Sequence, residues 1–309
     1  MSISANLVKE LRERTSAGMM DCKKALEETK GDFEAAIEWL RVKGLSAAAK
    51  KAGRIAAEGT VFAQTLGDIG IVVEINSETD FVARNDGFKA LVSDIAEHIT
   101  HAAHALGDIL DQAFHKNPTK KVGEMMIDAV AKIGEKIVIR RFERYTAAPN
   151  SIVHTYVHGE GKIGVLIEVI ASKPEATKNP ELRTFAQDVC LHIAAMNPMA
   201  ISSEQIPAEV VSKEKEILKA KNLEQGKKAE MIEKIVEGQI RKFLAENCLV
   251  DQSFVKNSDI KVSDLAKEIG KKIGAEITIK RFTRFELGAG IEKKQEDFAA
   301  EVAAQLKGH

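Results

Sequence analysis

The sequence is poor in several things, and each shortage excludes a class of protein. Only Cys22, Cys190 and Cys248 stand in 309 residues. Their number is odd, their spacings are wide and no metal-ligand spacing results, so they read as reduced thiols and neither a disulfide framework nor a metal site is expected. One Trp (Trp39), two Tyr (Tyr145, Tyr156) and twelve Phe give few platforms for stacking nucleobases. Neither sign of charge prevails, with 45 Lys and Arg against 46 Asp and Glu and a net charge of −1. Such a chain has no global field to draw in nucleic acid or an anionic membrane. No apolar run nears the ~20 residues that span a bilayer. The first residues carry Lys9, Glu10, Arg12 and Glu13 without the apolar block of a secretory leader. A cytoplasmic protein with no membrane and no direct nucleic-acid partner is the expectation.

Catalytic signatures are equally scarce. The chain has no Gly-x4-Gly-Lys-Ser/Thr loop, no Gly-x-Ser-x-Gly elbow and no His-Glu-x-x-His motif. His98, His101 and His104 recur at three-residue intervals, and successive pairs could meet on a helix. A metal would need further ligands and a supporting shell, and none is legible. No catalytic residue, no metal and no cofactor are therefore assigned.

What is present describes an ordinary globular chain, 44% apolar and 29% charged, long enough for two or more cores. Residues 1–54 read as a three-helix domain followed by a basic linker. Leu7, Val8 and Leu11 begin one apolar face, Cys22, Ala25 and Leu26 continue it, and Gly31-Asp32 stops one helix and caps the next, with Phe33, Ala36, Ile37 and Leu40 on its face. The pattern resembles the ubiquitin-associated domain. Three short helices bury little surface, so a neighbour should supply part of the stability. Arg41, Lys43, Lys50, Lys51 and Arg54 then form a partly helical linker with a solvated basic face.

An internal duplication follows. Ile69-Gly70-Ile71-Val72-Val73-Glu74-Ile75 matches Ile163-Gly164-Val165-Leu166-Ile167-Glu168-Val169, an offset of 94 residues, and Asp94/His98 recurs as Asp188/His192. Asp111-Gln112-Ala113-Phe114 matches Asp251-Gln252-Ser253-Phe254 at an offset of 140 that persists to Tyr145 and Phe285. Each copy reads strand, helix, loop, helix, strand, so the fold class is α+β with a first core subdomain at 55–148 and a second at 149–286. The recurrence of the Asp/His pair favours a scaffold role for His98. The growth of the offset marks an insert, about 195–249, in which helices striped by Val210, Val211, Ile217, Leu218 and by Met231, Ile232, Ile235, Val236, Ile240, Phe243 flank Gly226. They form an antiparallel hairpin; residual apolar surface there could meet a second molecule, which leaves a homodimer open. Residues 287–309 read as a C-terminal helical module faced by Phe298, Ala299, Val302 and Leu306.

One stretch stands out against the duplication. Between the strand ending at Ile75 and the helix begun by Phe88 lies Asn76-Ser77-Glu78-Thr79-Asp80-Phe81-Val82-Ala83-Arg84-Asn85. Phe81 could simply tuck under the following helix. The offset of 94, however, carries Thr79-Asp80-Phe81-Val82 onto Lys173-Pro174-Glu175-Ala176. Strand and helix are kept while the connection differs, and a helix-seating Phe should have an apolar counterpart. Phe81 is thus expected to be an exposed tool.

Several segments together resemble the bacterial elongation factor Ts family: Leu7 to Thr15, Ala17-Gly18-Met19-Met20-Asp21-Cys22-Lys23-Lys24-Ala25-Leu26, Thr79 to Ala83, Lys132-Ile133-Gly134-Glu135, His158-Gly159, Arg284-Phe285-Glu286 and Gly290-Ile291-Glu292-Lys293. The resemblance runs the length of the chain. It implies a guanine nucleotide exchange factor, without hydrolytic chemistry of its own, for the GTPase elongation factor Tu. By that resemblance Thr79, Asp80, Phe81 and Val82 disturb the GTPase's magnesium site, with Phe81 wedging between its helices. Met19, Met20 and Lys23 touch the same domain, Ile133, Gly134 and His158 meet another, and the C-terminal helix acts as a further clamp. Two readings compete: a ubiquitin-type adaptor, suggested by residues 1–40 alone, which leaves the duplicated core and the Thr79–Val82 segment unexplained, and an enzyme with an unrecognised site among His98, His101 and His104.

Overall fold

The computed structural model describes residues 3–15, 17–101 and 109–292. His104 and the C-terminal helix expected after Glu292 lie outside the described residues.

The chain begins with α1 (Ala5–Thr15), α2 (Met19–Glu28) and α3 (Phe33–Lys51). Val8, Leu11, Cys22, Ala25, Leu26 and Ala36 form their common core. Asp32 caps α3, its Oδ1 accepting the Ala35 amide at 2.9 Å, as an N-terminal Asp should. The basic run expected to be a partly helical linker is helical as far as Lys51, as the continuation of α3. That extent has a packing cause. α3 lies along α6 (Val122–Ile133), where a Cβ at Gly44 would meet Ile127 and Ala131 and where Arg41 reaches Glu124 at 3.0 Å. The three helices bury little by themselves, and α6 supplies the extra surface.

Next come β1 (Glu58–Leu66), β2 (Ile69–Ser77), α4 (Asp80–Arg84), α5 (Asp86–His101), a 3-10 turn at Ile109–Asp111, the short β3 (Ala113–Phe114) and β4 (Asn117–Lys121), then α6 and β5 (Ile137–Thr146). The second half runs β6 (Ser151–His158), β7 (Ile163–Ala171), a 3-10 turn at Pro174–Lys178, α7 (Pro180–Met196), the hairpin helices α8 (Ala208–Glu224) and α9 (Ala229–Asn247), β8 (Ser253–Phe254), β9 (Asn257–Lys261), α10 (Val262–Ile273) and β10 (Ile277–Glu286). The chain is thus α+β with a repeated order of elements. Two additions went unread in the sequence: a leading strand in each half, and a small antiparallel pair inside each expected loop. Those pairs share one register irregularity, Ala113↔Lys121 with Phe114↔Asn117 and Ser253↔Lys261 with Phe254↔Asn257.

The larger sheets have the orders β1-β2-β5 and β10-β7-β6, each with its most apolar strand in the middle. The contacts define two compact units. One comprises the chain up to Thr60, Glu74–Arg141 and the chain from Glu286; the other comprises Val61–Val73 and Phe142–Phe285.

In the first unit Phe88, Leu91, Val92, Ile95 and Ile99 of α5 and Val122, Met126 and Val130 of α6 are buried. In the second, Val165, Ile167 and Val169 of β7 pack on Leu182, Phe185, Val189 and Ile193 of α7 and on Val262 and Ile269 of α10. α8 and α9 close on each other through Ile232, Val236, Ile240, Val211 and Leu218, with Asn222 Nδ2 donating to Gln239 Oε1 at 2.8 Å. Ile217, Leu223 and Met231 stay exposed on that hairpin.

Candidate functional site

Asp80 and Phe81 stand on a short helix, α4, within the strand-to-helix connection read from the sequence. Thr79 is its N-cap, in extended conformation, and Asn85 is its C-cap. Phe81 is 81% exposed, while Val82, one residue on, is half-buried. The contrast follows from the turn: consecutive residues of a helix cannot face the same side, so seating Val82 presents Phe81 outward. Asp80 makes an exposed i,i+4 pair with Arg84 at 3.4 Å.

The second copy does keep the turn. Pro174–Lys178 is helical too, Ala176 is buried where Val82 is half-buried, and Asn179 caps it as Asn85 does. Asn85 and Asn179 then each accept an amide from the next helix, Gly87 at 2.7 Å and Glu181 at 3.0 Å. The connection is therefore not wholly different between copies, as the sequence suggested. The backbone device is shared, and the side chains at its tip are not.

What braces the tip is Glu135, at the start of the connection from α6 to β5. Its carboxylate accepts the Thr79 amide at 3.0 Å and the Thr79 hydroxyl at 2.7 Å. Beside it, Glu78 accepts the Lys136 amide at 2.6 Å and the Arg54 guanidinium at 3.2 Å, while Lys136 Nζ donates to the carbonyls of Ala52 and Arg54. Hydrogen bonds to an ionised acceptor contribute more than neutral ones, so Thr79 is pinned on both its backbone and its side chain. Glu135, Glu78 and Arg54 were read from the sequence only as members of longer stretches, with no bracing role, and Lys136 was not read at all. One signal could have found the first: the 140-residue offset sets Glu135 opposite Ala275, so the acid exists only in the copy that carries the tip.

The other sequence-predicted residues fall as follows. Met19 and Met20 open α2 and are exposed, Met20 at 74%, and Lys23 pairs with Glu27 at 3.8 Å. Asp21, between them, is paired with Lys43 of α3, so the start of α2 is tied to the helix that lies on α6. Ile133 ends α6 half-buried, and Gly134 closes it in left-handed conformation, φ 86°, where a glycine is the least strained residue. Thr79, Asp80, Phe81, Val82, Met19, Met20, Lys23, Ile133 and Gly134 all belong to the first unit. His158 belongs to the second, exposed at the end of β6 with its Nδ1 3.0 Å from the Tyr156 hydroxyl.

The histidines have structural duties. The His98 ring faces Gln112 Oε1 at 3.0 Å and accepts the His115 amide; His192 repeats both contacts with Gln252 at 2.9 Å and the Val255 amide. Burial lowers the pKa of each below the ordinary imidazole value, the glutamine working in the opposite direction. Among the described residues no group of three His, Cys, Asp or Glu could hold a metal, and no helix is long and apolar enough to cross a membrane.

Comparison with known proteins now gives the class and then the family. A family model described as Elongation factor TS matches residues 78–289. The chain is 74% identical to Elongation factor Ts of Bdellovibrio bacteriovorus over 100% of both sequences. It is 50% identical to that of Symbiobacterium thermophilum, with 98% of each chain covered, and 47% identical to that of Halothermothrix orenii, with 99% of each covered. These matches define a translation elongation factor, a protein of protein biosynthesis. Within that class, the chain belongs to the elongation factor Ts family.

Proposed function

We propose that this protein binds elongation factor Tu in its GDP-bound form and promotes release of GDP, so that GTP can rebind, in the cytoplasm and without hydrolytic chemistry of its own. The observation that carries the reading is Phe81, a large apolar side chain left exposed on a turn whose N-cap, Thr79, is held twice by Glu135. A side chain meant to enter another protein must be free at its tip and fixed at its base; fixing the base lowers the ordering cost of binding.

In this mechanism Phe81 enters between helices of the GTPase while Asp80 holds the displaced conformation. A GTPase's Mg²⁺ bridges the nucleotide phosphates and protein groups, so shifting those groups loosens the nucleotide without competition for its base. Burying one Phe contributes roughly 1.5–3 kcal/mol, whereas turning a two-state ratio through about 10⁴ needs ~5.5 kcal/mol of differential affinity. The tip is too weak alone. Met19, Met20 and Lys23, together with Ile133, Gly134 and His158, supply the further contacts. Linkage makes the effect reciprocal, so the factor is itself released when GTP binds.

The test is the release of a fluorescent GDP analogue from elongation factor Tu under a small fraction of one equivalent of this protein. Multiple-turnover acceleration is expected, and Asp80→Ala with Phe81→Ala should abolish most of it. No acceleration by the wild-type chain would remove the exchange reading.

A further inference from the structure

The two copies differ in what covers one face of their second long helix. In the first copy α3 lies along α6. A Cβ at Gly44 would stand 3.5 Å from Ile127 and 3.6 Å from Ala131, and Arg41 donates to Glu124 at 3.0 Å. Beyond the end of α3, Lys136 Nζ donates to the carbonyls of Ala52 and Arg54, and the Arg54 side chain reaches Glu78. Glu124, Ile127, Ala131, Lys136 and Glu78 thus mark out the berth of a helix.

Their counterparts are Asp264, Lys267, Lys271 and Glu276 at the offset of 140, and Ser172 at the offset of 94. In the second copy Lys267, Lys271, Glu276 and Ser172 line an open groove of about 790 Å³, and Asp264 accepts from Lys267 at 3.2 Å. Every residue of the groove belongs to the second unit. Its apolar lining includes Val262 and Ala266 of α10 and Ile277 and Ile279 of β10. Ala266 stands where the first copy has Met126, and Gly270 where it has Val130, so less side-chain volume lies along this face. α10 contributes from Val262 to Lys271, a length of roughly 14 Å at the helical rise. That length suits an elongated body.

Charge says what kind of body. Lys173, Lys267 and Lys271 line the groove against one acid, Glu276, and all three lysines are exposed. The first copy has Thr79, Ile127 and Ala131 at these positions, and its berth takes a helix whose last turn carries Lys50 and Lys51. Three positive charges in the second copy would repel such a helix and attract one of opposite sign.

We propose that the groove between α10 and β10 is a docking site for an acidic amphipathic helix of a partner protein. The helix seats as α3 does on α6, with a small residue at the crossing and carboxylates toward Lys173, Lys267 and Lys271. Recognition of this kind lays the apolar face of a helix into a groove and leaves specificity to the flanking charges. The inference stands apart from the exchange reading, which gives this face no task.

The probe is a synthetic peptide with the α3 sequence, residues 33–51, bearing Arg41→Glu, Lys43→Glu, Lys50→Glu and Lys51→Glu. The chain's own α3 fills the berth on α6, which leaves the groove as its open counterpart. With the full-length protein the acidic peptide should bind with a Kd of ~100 µM or tighter. It should gain helicity by circular dichroism, since so short a helix is marginal alone in water. The unaltered basic peptide should bind about tenfold more weakly.

Lys267→Glu with Lys271→Glu should weaken the acidic peptide about tenfold and strengthen the basic one by a similar factor. Both side chains are exposed, so the thermal midpoint should stay near the wild-type value. If that variant does not fold, Thr278→Trp replaces it. Thr278 is an exposed strand residue that lines the groove, where an aromatic is accepted, and the indole would block the peptide. Absence of binding, binding without gain of helix, equal binding of the acidic and basic peptides, or binding that these variants leave unchanged would each overturn the proposal.

Discussion

In the first copy the turn after the central strand ends in Asp80 and Phe81, and Glu135 holds its base; in the second the same turn ends in Pro174 and Glu175, and Ala275 stands opposite. Around these tips almost everything else is repeated. Lys116 pairs with Asp94 as Lys256 does with Asp188, and Lys121 with Asp111 as Lys261 does with Asp251. The Lys136 amide finds Glu78 where the Glu276 amide finds the Ser172 hydroxyl. Shared features in two copies that have diverged elsewhere are those the fold requires. Features present in one copy only, with their own support built beneath them, are the places to look for function.

The comparison can be broken most severely at the tip. Phe81→Ala should reduce the acceleration of GDP release by roughly 10–100-fold, the equivalent of the ~1.5–3 kcal/mol available from burying a Phe. Its thermal midpoint should hardly move, because the ring is already in water. Glu175→Ala, at the matching place, should change neither quantity.

Next in size is the brace. Glu135→Ala removes both bonds to Thr79 and should cost about tenfold in acceleration, near 1.4 kcal/mol, with a smaller change in unfolding free energy measured by urea titration. An equal fall in both would mean that Glu135 serves the fold and not the tip.

The smallest effect concerns a shared feature. His98 and His192 are held neutral, chiefly by burial, whereas the unfolded chain's imidazoles protonate near pH ~6.5. The unfolded state therefore binds more protons as pH falls below that value. Stability from this source is complete above it and declines as the pH drops toward the lowered folded values. Thermal unfolding between pH 7.5 and 5 should show that decline, and His192→Gln should make it shallower. A slope indifferent to His192 would contradict the assignment.

Much of this organisation was legible in the sequence. The duplication was readable because its strands, its Asp/His pairs and its closing segments recur at fixed offsets. The exposure of Phe81 was readable from the missing apolar counterpart at Glu175. The extent of α3 was not, because a helix whose last turns rest on α6 need not carry an apolar stripe of its own. The leading strands β1 and β6 went unread because they are recognisable only beside the apolar strands they pair with. The brace was hidden for another reason. Glu135 and Thr79 are far apart in the chain, and only the fold brings them within hydrogen-bonding distance.

The most direct test exchanges the tips. Asp80→Pro with Phe81→Glu gives the first copy the residues of the second at the start of a helical turn, where Pro is tolerated, and it leaves Thr79 and Glu135 untouched. Release of fluorescent GDP from elongation factor Tu should be strongly accelerated by catalytic wild-type protein and barely accelerated by the exchanged variant, with matching circular dichroism and thermal midpoints. Undiminished acceleration by a folded variant would contradict the account.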